Sequence, residues 1–324
     1  MILKNKISPL QFAVLLMISI LGFITMLSRS MSCFTMVISV LFSFLMLIPT
    51  LLISSKENFK IPFLLKIVAS IFTVLVSVYI VNEFSVFFST LVNTETPRYF
   101  ISALLLLSVL YPATKGIEEI SRSSIIAVSF VILSLILIFS LLPYSDISHF
   151  SDNEKSFNIT DSIGIIIAFS PALFSMLFFR NIIKAKVTSV VFPFIIASLI
   201  LSSVICFVKL LDISEYRYPF YTLSELSCKV IPMGFSGLFI AFSIMCVFFG
   251  VLYFSLSVKS ITNCHTRLMS IVYIAIVYAL SVVTLYNKNL SDIILNKYFL
   301  LVLYLIIALI IPIYVVIKEK KNEG

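Results

Sequence analysis

The sequence predicts an all-α polytopic membrane protein with ten transmembrane helices in one domain, an inverted five-plus-five repeat whose helices 1 and 6 are discontinuous. Three observations predict it. Of 324 residues, 60% are hydrophobic and only 12% are charged, about half the charge share of an ordinary soluble domain, and mean hydropathy is +1.15. Apolar runs long enough to cross about 30 Å of hydrocarbon at about 1.5 Å per residue recur along the whole chain. Finally, interruptions in the apolar pattern stand inside the first run and the sixth.

Charged and Pro/Gly/Asn punctuation places the helices at 8–28, 31–54, 61–88, 98–114, 123–143, 161–179, 187–210, 233–257, 268–286 and 296–317. The first opens as a helix should: Ser8-Pro9-Leu10-Gln11 puts Ser at the N-cap, Pro at N1 and Gln at N3. Its apolar stretch is too long for a signal peptide, and no small-x-small cleavage site follows. The fourth is the shortest and closes on Tyr111-Pro112. The fifth ends the first repeat (8–143), an acidic outer loop spans 144–160, and the sixth opens the second repeat (161–318), leaving a tail at 319–324.

Charge orients these helices. With both termini in the cytoplasm, fifteen of the 23 Lys and Arg residues fall on the inner side, as the positive-inside rule requires. The net charge of +8 is therefore a topology signal and not a nucleic-acid surface; no basic patch with interleaved aromatics is present. Glu83, Lys209 and Lys66 all lie near predicted helix ends, where long side chains can snorkel to the interface.

Signatures of enzyme chemistry are missing. The five cysteines, Cys33, Cys206, Cys228, Cys246 and Cys264, are scattered without CxxC or metal-ligand spacing. His149 and His265 fall on opposite sides of the membrane. No HExxH, Walker loop, GxSxG or dinucleotide fingerprint occurs, so no catalytic residue, metal or cofactor is expected.

An odd number of helices per half makes any repeat inverted in topology. Inverted five-helix repeats are one plan of secondary transporters, with the first helix of each half broken at a midplane site. Here the first helix carries Gly22 about two-thirds along, and the sixth carries Ser170-Pro171 near its centre, within IIIAFSPALFSMLFF (165–179). Irregular backbone at membrane depth is tolerated where it is buried in protein or lines a cavity. Each feature also has a plain structural reading: proline as a kink, glycine as a point of close helix packing.

Several stretches resemble the spore-germination permease family, the B-type subunits of nutrient germinant receptors within the amino acid–polyamine–organocation superfamily. They are KISPLQFAVLLMISILGFITMLSRS (6–30), Thr96-Pro97, YPATKGIEEISR (111–122), LLPYSDI (141–147) and YRYPFYTLSEL (216–226). The most specific is the pattern Tyr111, Gly116, Ile117, Glu118 and Arg122. The sequence departs from the family at Pro171-Ala172-Leu173-Phe174, where many members carry a glycine and an acidic residue, and at "Leu-Ser-Arg", where Leu-Pro-Arg is common. The resemblance implies A- and C-type partner subunits in a hetero-oligomer and residence in the inner spore membrane or the cytoplasmic membrane, among membrane lipid.

Two candidate sites follow. Helix ends at a break expose N–H and C=O groups of opposite partial charge, which suits a zwitterion such as an amino acid. Gly22, Thr25, Phe169, Ser170 and Pro171 would supply this ligand-binding site, with Tyr79 and Asn82 from the third helix and Phe242 and Cys246 from the eighth as lining. Any one of these lining positions also suits core packing. On the cytoplasmic face, Gly116 can take a left-handed conformation and end the fourth helix. Glu118 and Arg122, four apart, can pair; they would form a gate or docking point, or simply a solvated helix start.

Overall fold

Hydrophobic length dictates the helices, and the structure, a computed structural model, describes residues 7–27, 32–54, 61–144, 157–179, 187–211, 218–230, 236–264 and 266–323. The first half of the chain gives α1 (Pro9–Leu27), α2 (Cys33–Ser54), α3 (Phe63–Leu91), α4 (Arg98–Thr114) and α5 (Ile117–Phe139). The second gives α6 (Ile159–Ala168), α7 (Ser170–Phe178), α8 (Thr188–Leu210), α9 (Pro219–Val230), α10 (Ser236–Thr262) and α11 (Arg267–Tyr286). It ends with α12 (Lys288–Ile294), α13 (Lys297–Leu305) and α14 (Ile311–Glu323). Counting α6 with α7 and α12 to α14 together, nine described spans are long and apolar enough to cross a membrane, and Arg98–Thr114 is a shorter apolar helix beside them. The chain is an all-helical polytopic membrane protein.

Burial separates centre from rim. Over their most apolar eighteen residues, the α6–α7 span is 100% buried, α1 78% and α10 72%, against 33% for α2, α5 and α11. The rim helices turn large apolar side chains outward, among them Leu52, Ile126 and Leu268, which suits hydrocarbon because only internally hydrogen-bonded helices with apolar faces are stable there. Neighbour relations pair off between the halves. α1 packs on α8 and α5, as α7 packs on α2 and α6 on α13; α3 faces α10, and α4 faces α11. Polar side chains tie α3 to its neighbours: Asn82 Nδ2 donates to Thr284 Oγ1 at 2.7 Å, Ser77 meets the Tyr273 hydroxyl at 2.6 Å and Ser85 meets Ser102 at 2.6 Å.

Several details differ from the sequence reading. α1 runs unbroken through Gly22, so the discontinuity expected in helix 1 is absent. The glycine serves close packing instead: a Cβ there would stand 2.2 Å from the Cys246 carbonyl oxygen on α10. Gly116 is extended, at φ −81° and ψ 160°, and forms the N-cap of α5. Lys115, not Gly116, closes α4, with its N–H on the Pro112 carbonyl. α5 therefore begins at Ile117, six residues ahead of the predicted 123, with Glu118 and Glu119 in its first turn, where carboxylates complement the helix dipole.

α3 continues to Leu91, which sets Glu83 eight residues, about 12 Å, inside its end. α10 continues to Thr262, so Lys259 lies within it. α9 and α12 replace stretches read as loop; both are too short to span. His149, His265, Arg29, the turn 180–186 and most of the loop 144–160 lie outside the described residues.

Candidate functional site

The break in the sixth span has a local chemical cause. Asn158 starts α6, its side-chain oxygen accepting from the N–H groups of Thr160 at 3.0 Å and Asp161 at 3.4 Å. Thirteen residues on, Pro171 brings a ring and no N–H, so one rung of the helix ladder cannot form. Phe169 sits at φ −86° and ψ −1°, in the sparsely allowed bridge region. The N–H of Ala172 reaches back only three residues, to the Phe169 carbonyl at 3.1 Å. The discontinuity is thus one residue wide, and Pro171 takes its favoured place in the first turn of α7.

The Pro171 carbonyl becomes the polar centre of the break. It accepts from Tyr253 Oη on α10 at 2.8 Å and from Ser175 Oγ at 2.8 Å, and these two hydroxyls are themselves 2.8 Å apart. Two hydroxyl protons therefore serve three contacts, so the hydrogens can redistribute among them without moving a heavy atom. Ser170 is fully buried, and its hydroxyl has no hydrogen-bond partner. An unpaired buried hydroxyl costs about 1–3 kcal/mol, a cost that a polar ligand group would relieve.

Around this centre the packing is aromatic. Phe169 lies against Phe194 of α8 at 4.5 Å between ring centroids, Phe174 stacks on Phe72 at 5.7 Å, and Phe254 meets Phe174 at 5.7 Å and Phe23 at 5.0 Å.

The other expected residues divide into two groups. Gly22 and Cys246 are in direct backbone approach, Thr25 is buried with its hydroxyl on the Gly22 carbonyl at 3.0 Å, and Phe242 is buried one turn before Cys246. Tyr253 is seven residues beyond Cys246, about 10 Å along α10, so α10 forms a common wall for the Gly22 contact and the Pro171 carbonyl. Tyr79 is half-buried on α3, which packs on α10. Asn82, in contrast, is committed to α11 through Thr284.

Tyr253 was not legible as a site residue. The available signal was its spacing from Cys246 together with the need of any buried tyrosine hydroxyl for a partner.

The second site is at the junction of α4 and α5. Arg122 Nη2 donates to Glu118 Oε1 at 2.5 Å, with the arginine 66% and the glutamate 28% exposed. Next to it the Ala113 carbonyl accepts from Lys259 Nζ of α10 at 2.6 Å and from Ser270 Oγ of α11 at 2.7 Å. Lys259 is 6% exposed, and no carboxylate among the described residues pairs with it. Its charge instead meets the C-terminal end of α4, where the helix dipole favours a cation. Among the described residues no group of three His, Cys, Asp or Glu side chains could hold a metal ion.

Nine described apolar spans, with the shorter Arg98–Thr114 helix beside them, thus surround a proline-broken central span whose Pro171 carbonyl is held by two hydroxyls. Residues 59–152 match the family described as spore germination protein. The matched stretch is less than a third of the chain and carries α3, α4, α5 and the whole 111–122 segment; it supports the spore-germination permease resemblance read from the residues. No curated protein matches the chain.

Proposed function

We propose that this chain is the membrane-embedded nutrient-sensing subunit of a spore germinant receptor, binding a small germinant, an amino acid, at the broken sixth span. The observation that carries this reading is the Pro171 carbonyl, in the first turn of α7 just past the break and held by Tyr253 and Ser175, beside the unpartnered Ser170 hydroxyl. The last carbonyls of α6 and the first N–H groups of α7 offer opposite partial charges to the ammonium and carboxylate of a zwitterion. Gly22, Thr25, Phe242 and Cys246 belong to the wall behind it. Because Phe169, Ser170 and Pro171 at the break are buried, ligand entry requires the surrounding helices to move.

The paired neighbour relations of the halves support an inverted repeat, and the Lys/Arg bias supports both termini in the cytoplasm. In the same reading the chain sits in the inner spore membrane with A- and C-type subunits. Residues 111–122 then present Gly116, Glu118 and Arg122 as a cytoplasmic gate or docking point.

A second reading, an autonomous amino-acid permease, is favoured by the depth of Glu83 in α3, since intramembrane carboxylates mark proton and ion pathways. Uptake of radiolabelled amino acids by the protein alone in proteoliposomes, abolished by Glu83→Gln, would establish that reading.

Spores carrying Pro171→Ala test the first. With the twenty L-amino acids applied singly, the concentration giving half-maximal loss of optical density should rise at normal protein level. Pro193→Ala, within α8, should leave it unchanged. Equal responses of the two variants would reduce the break to a kink.

A further inference from the structure

The nine-residue helix α7 is attached to α10 at both ends. At its start the Pro171 carbonyl accepts from Tyr253; at its finish the Phe178 carbonyl accepts from Ser260 Oγ. Pro171 and Phe178 are seven residues apart, as are Tyr253 and Ser260, so the two attachments are in register along parallel helices, each about 10 Å from the other.

The neighbour of Ser260 points elsewhere. Lys259 reaches the Ala113 carbonyl at 2.6 Å, at the end of α4. One turn of α10 therefore holds the end of the broken span and the end of α4 by adjacent side chains.

That turn is itself fixed. Asn263 stands at φ 56°, the left-handed conformation that ends a helix. The Cys264 N–H returns to the Lys259 carbonyl at 3.1 Å and the Asn263 N–H to the Ser260 carbonyl at 3.3 Å. Both residues that grip other helices thus have their own carbonyls pinned by the chain reversal. With its amide turned to satisfy both neighbours, Asn263 also accepts from Lys66 Nζ of α3 at 3.0 Å. Beyond Ala113 only three residues, Thr114 to Gly116, precede α5, and the Lys115 N–H is bound back to Pro112. A shift of the Ala113 carbonyl has no slack in which to dissipate before it reaches Glu118 and Arg122.

We propose that the last turn of α10 is a mechanical junction through which Lys259 and Ser260 couple the conformation of the break at Pro171 to the 111–122 segment. Its signalling role rests on the break being the ligand site; the coupling does not. When α7 shifts, Tyr253 and Ser260 either carry α10 with it or release their carbonyls, and Lys259 transmits the first outcome to α4.

Hydrogen–deuterium exchange of the full chain, in nanodiscs of phosphatidylglycerol and phosphatidylethanolamine and without ligand, tests the coupling. Tyr253→Phe loosens the break. It should raise exchange in peptides covering 111–122 by about fivefold, the equivalent of one hydrogen bond of ~1 kcal/mol. In a Lys259→Met background, which keeps the side-chain volume and removes the donor, Tyr253→Phe should leave 111–122 at the Lys259→Met level while still raising exchange in α7. If Lys259→Met does not reach the membrane, Ser260→Ala severs the other tie and should uncouple in the same way. An unchanged 111–122 segment in Tyr253→Phe overturns the junction, as does an equal rise in both backgrounds. Insensitivity of the amino-acid response to Pro171→Ala would instead remove the ligand site and leave the junction standing.

Discussion

Gly22 of α1 and Cys246 of α10 touch backbone to backbone: a Cβ on Gly22 would lie 2.2 Å from the Cys246 carbonyl oxygen and 2.5 Å from its carbon. The reciprocal contact, one turn along, is softer. A Cβ on Gly250 would meet the Phe23 ring at 3.4 Å, an ordinary distance. The two central helices therefore approach as closely as their backbones permit, which in a membrane is how small residues generate packing energy without a hydrophobic driving force.

This contact predicts a specific ordering. Gly22→Ala puts its methyl against backbone, which no rotamer change can relieve, so α1 and α10 must separate. The expected destabilisation is about 1–3 kcal/mol, the usual range for overpacking. Gly250→Ala should lie near zero, because the aromatic ring can tilt. Thermal unfolding in detergent, followed by retention of the monomer peak, measures both. A Gly22→Ala variant as stable as Gly250→Ala would mean that the helices do not approach this closely.

The same glycine shows where sequence reading stops. In an apolar helix a lone Gly is equally compatible with a broken backbone and with a close neighbour, and only the position of α10 decides. Pro171 was legible because its missing N–H breaks the ladder in any environment. Lys259 was read as a loop residue, since a cation ends an apolar window, yet α10 continues past it because carbonyl acceptors at the end of α4 satisfy the ammonium. α9 gave no hydropathy signal: it is twelve residues long and uses Tyr221 both as a packed ring against Phe87 and as a donor to Glu225 at 2.8 Å. The pairing of Glu118 with Arg122 was readable from spacing alone, because helix geometry fixes it once α5 begins before Glu118.

That pair separates stability from function. With Arg122 66% exposed, solvent screening leaves it worth at most about 0.5 kcal/mol. Glu118→Gln and Arg122→Gln should each shift the unfolding midpoint negligibly and leave membrane levels unchanged. If the segment is a gate or docking point, each should nonetheless impair the spore response to amino acids, and the charge-swapped double variant should regain part of it. Strictly additive losses would return Glu118 and Arg122 to the role of a solvated helix start.

Cys264 reports both orientation and local hydrogen bonding. It lies between α10 and α11, outside the spans, with its Sγ 3.4 Å from Thr266 Oγ1. The Thr266 hydroxyl first, and then the Thr266 backbone, stabilise the thiolate and hold the thiol below its ordinary range. A lowered thiol constant means more thiolate at a given pH, so alkylation should begin at lower pH than for a free cysteine. In a chain with the other four cysteines replaced, maleimide labelling should therefore reach half its maximal rate at lower pH than for a peptide thiol. Thr266→Val should move the profile back up. If the orientation proposed from the Lys/Arg bias holds, a membrane-impermeant maleimide should label Cys264 only after permeabilisation, whereas Thr94→Cys, on the exposed turn between α3 and α4, should label in intact cells. Labelling of Cys264 from outside would invert the orientation, and a Thr266→Val profile identical to the parent would leave the thiol's shift to a cause other than its hydroxyl neighbour.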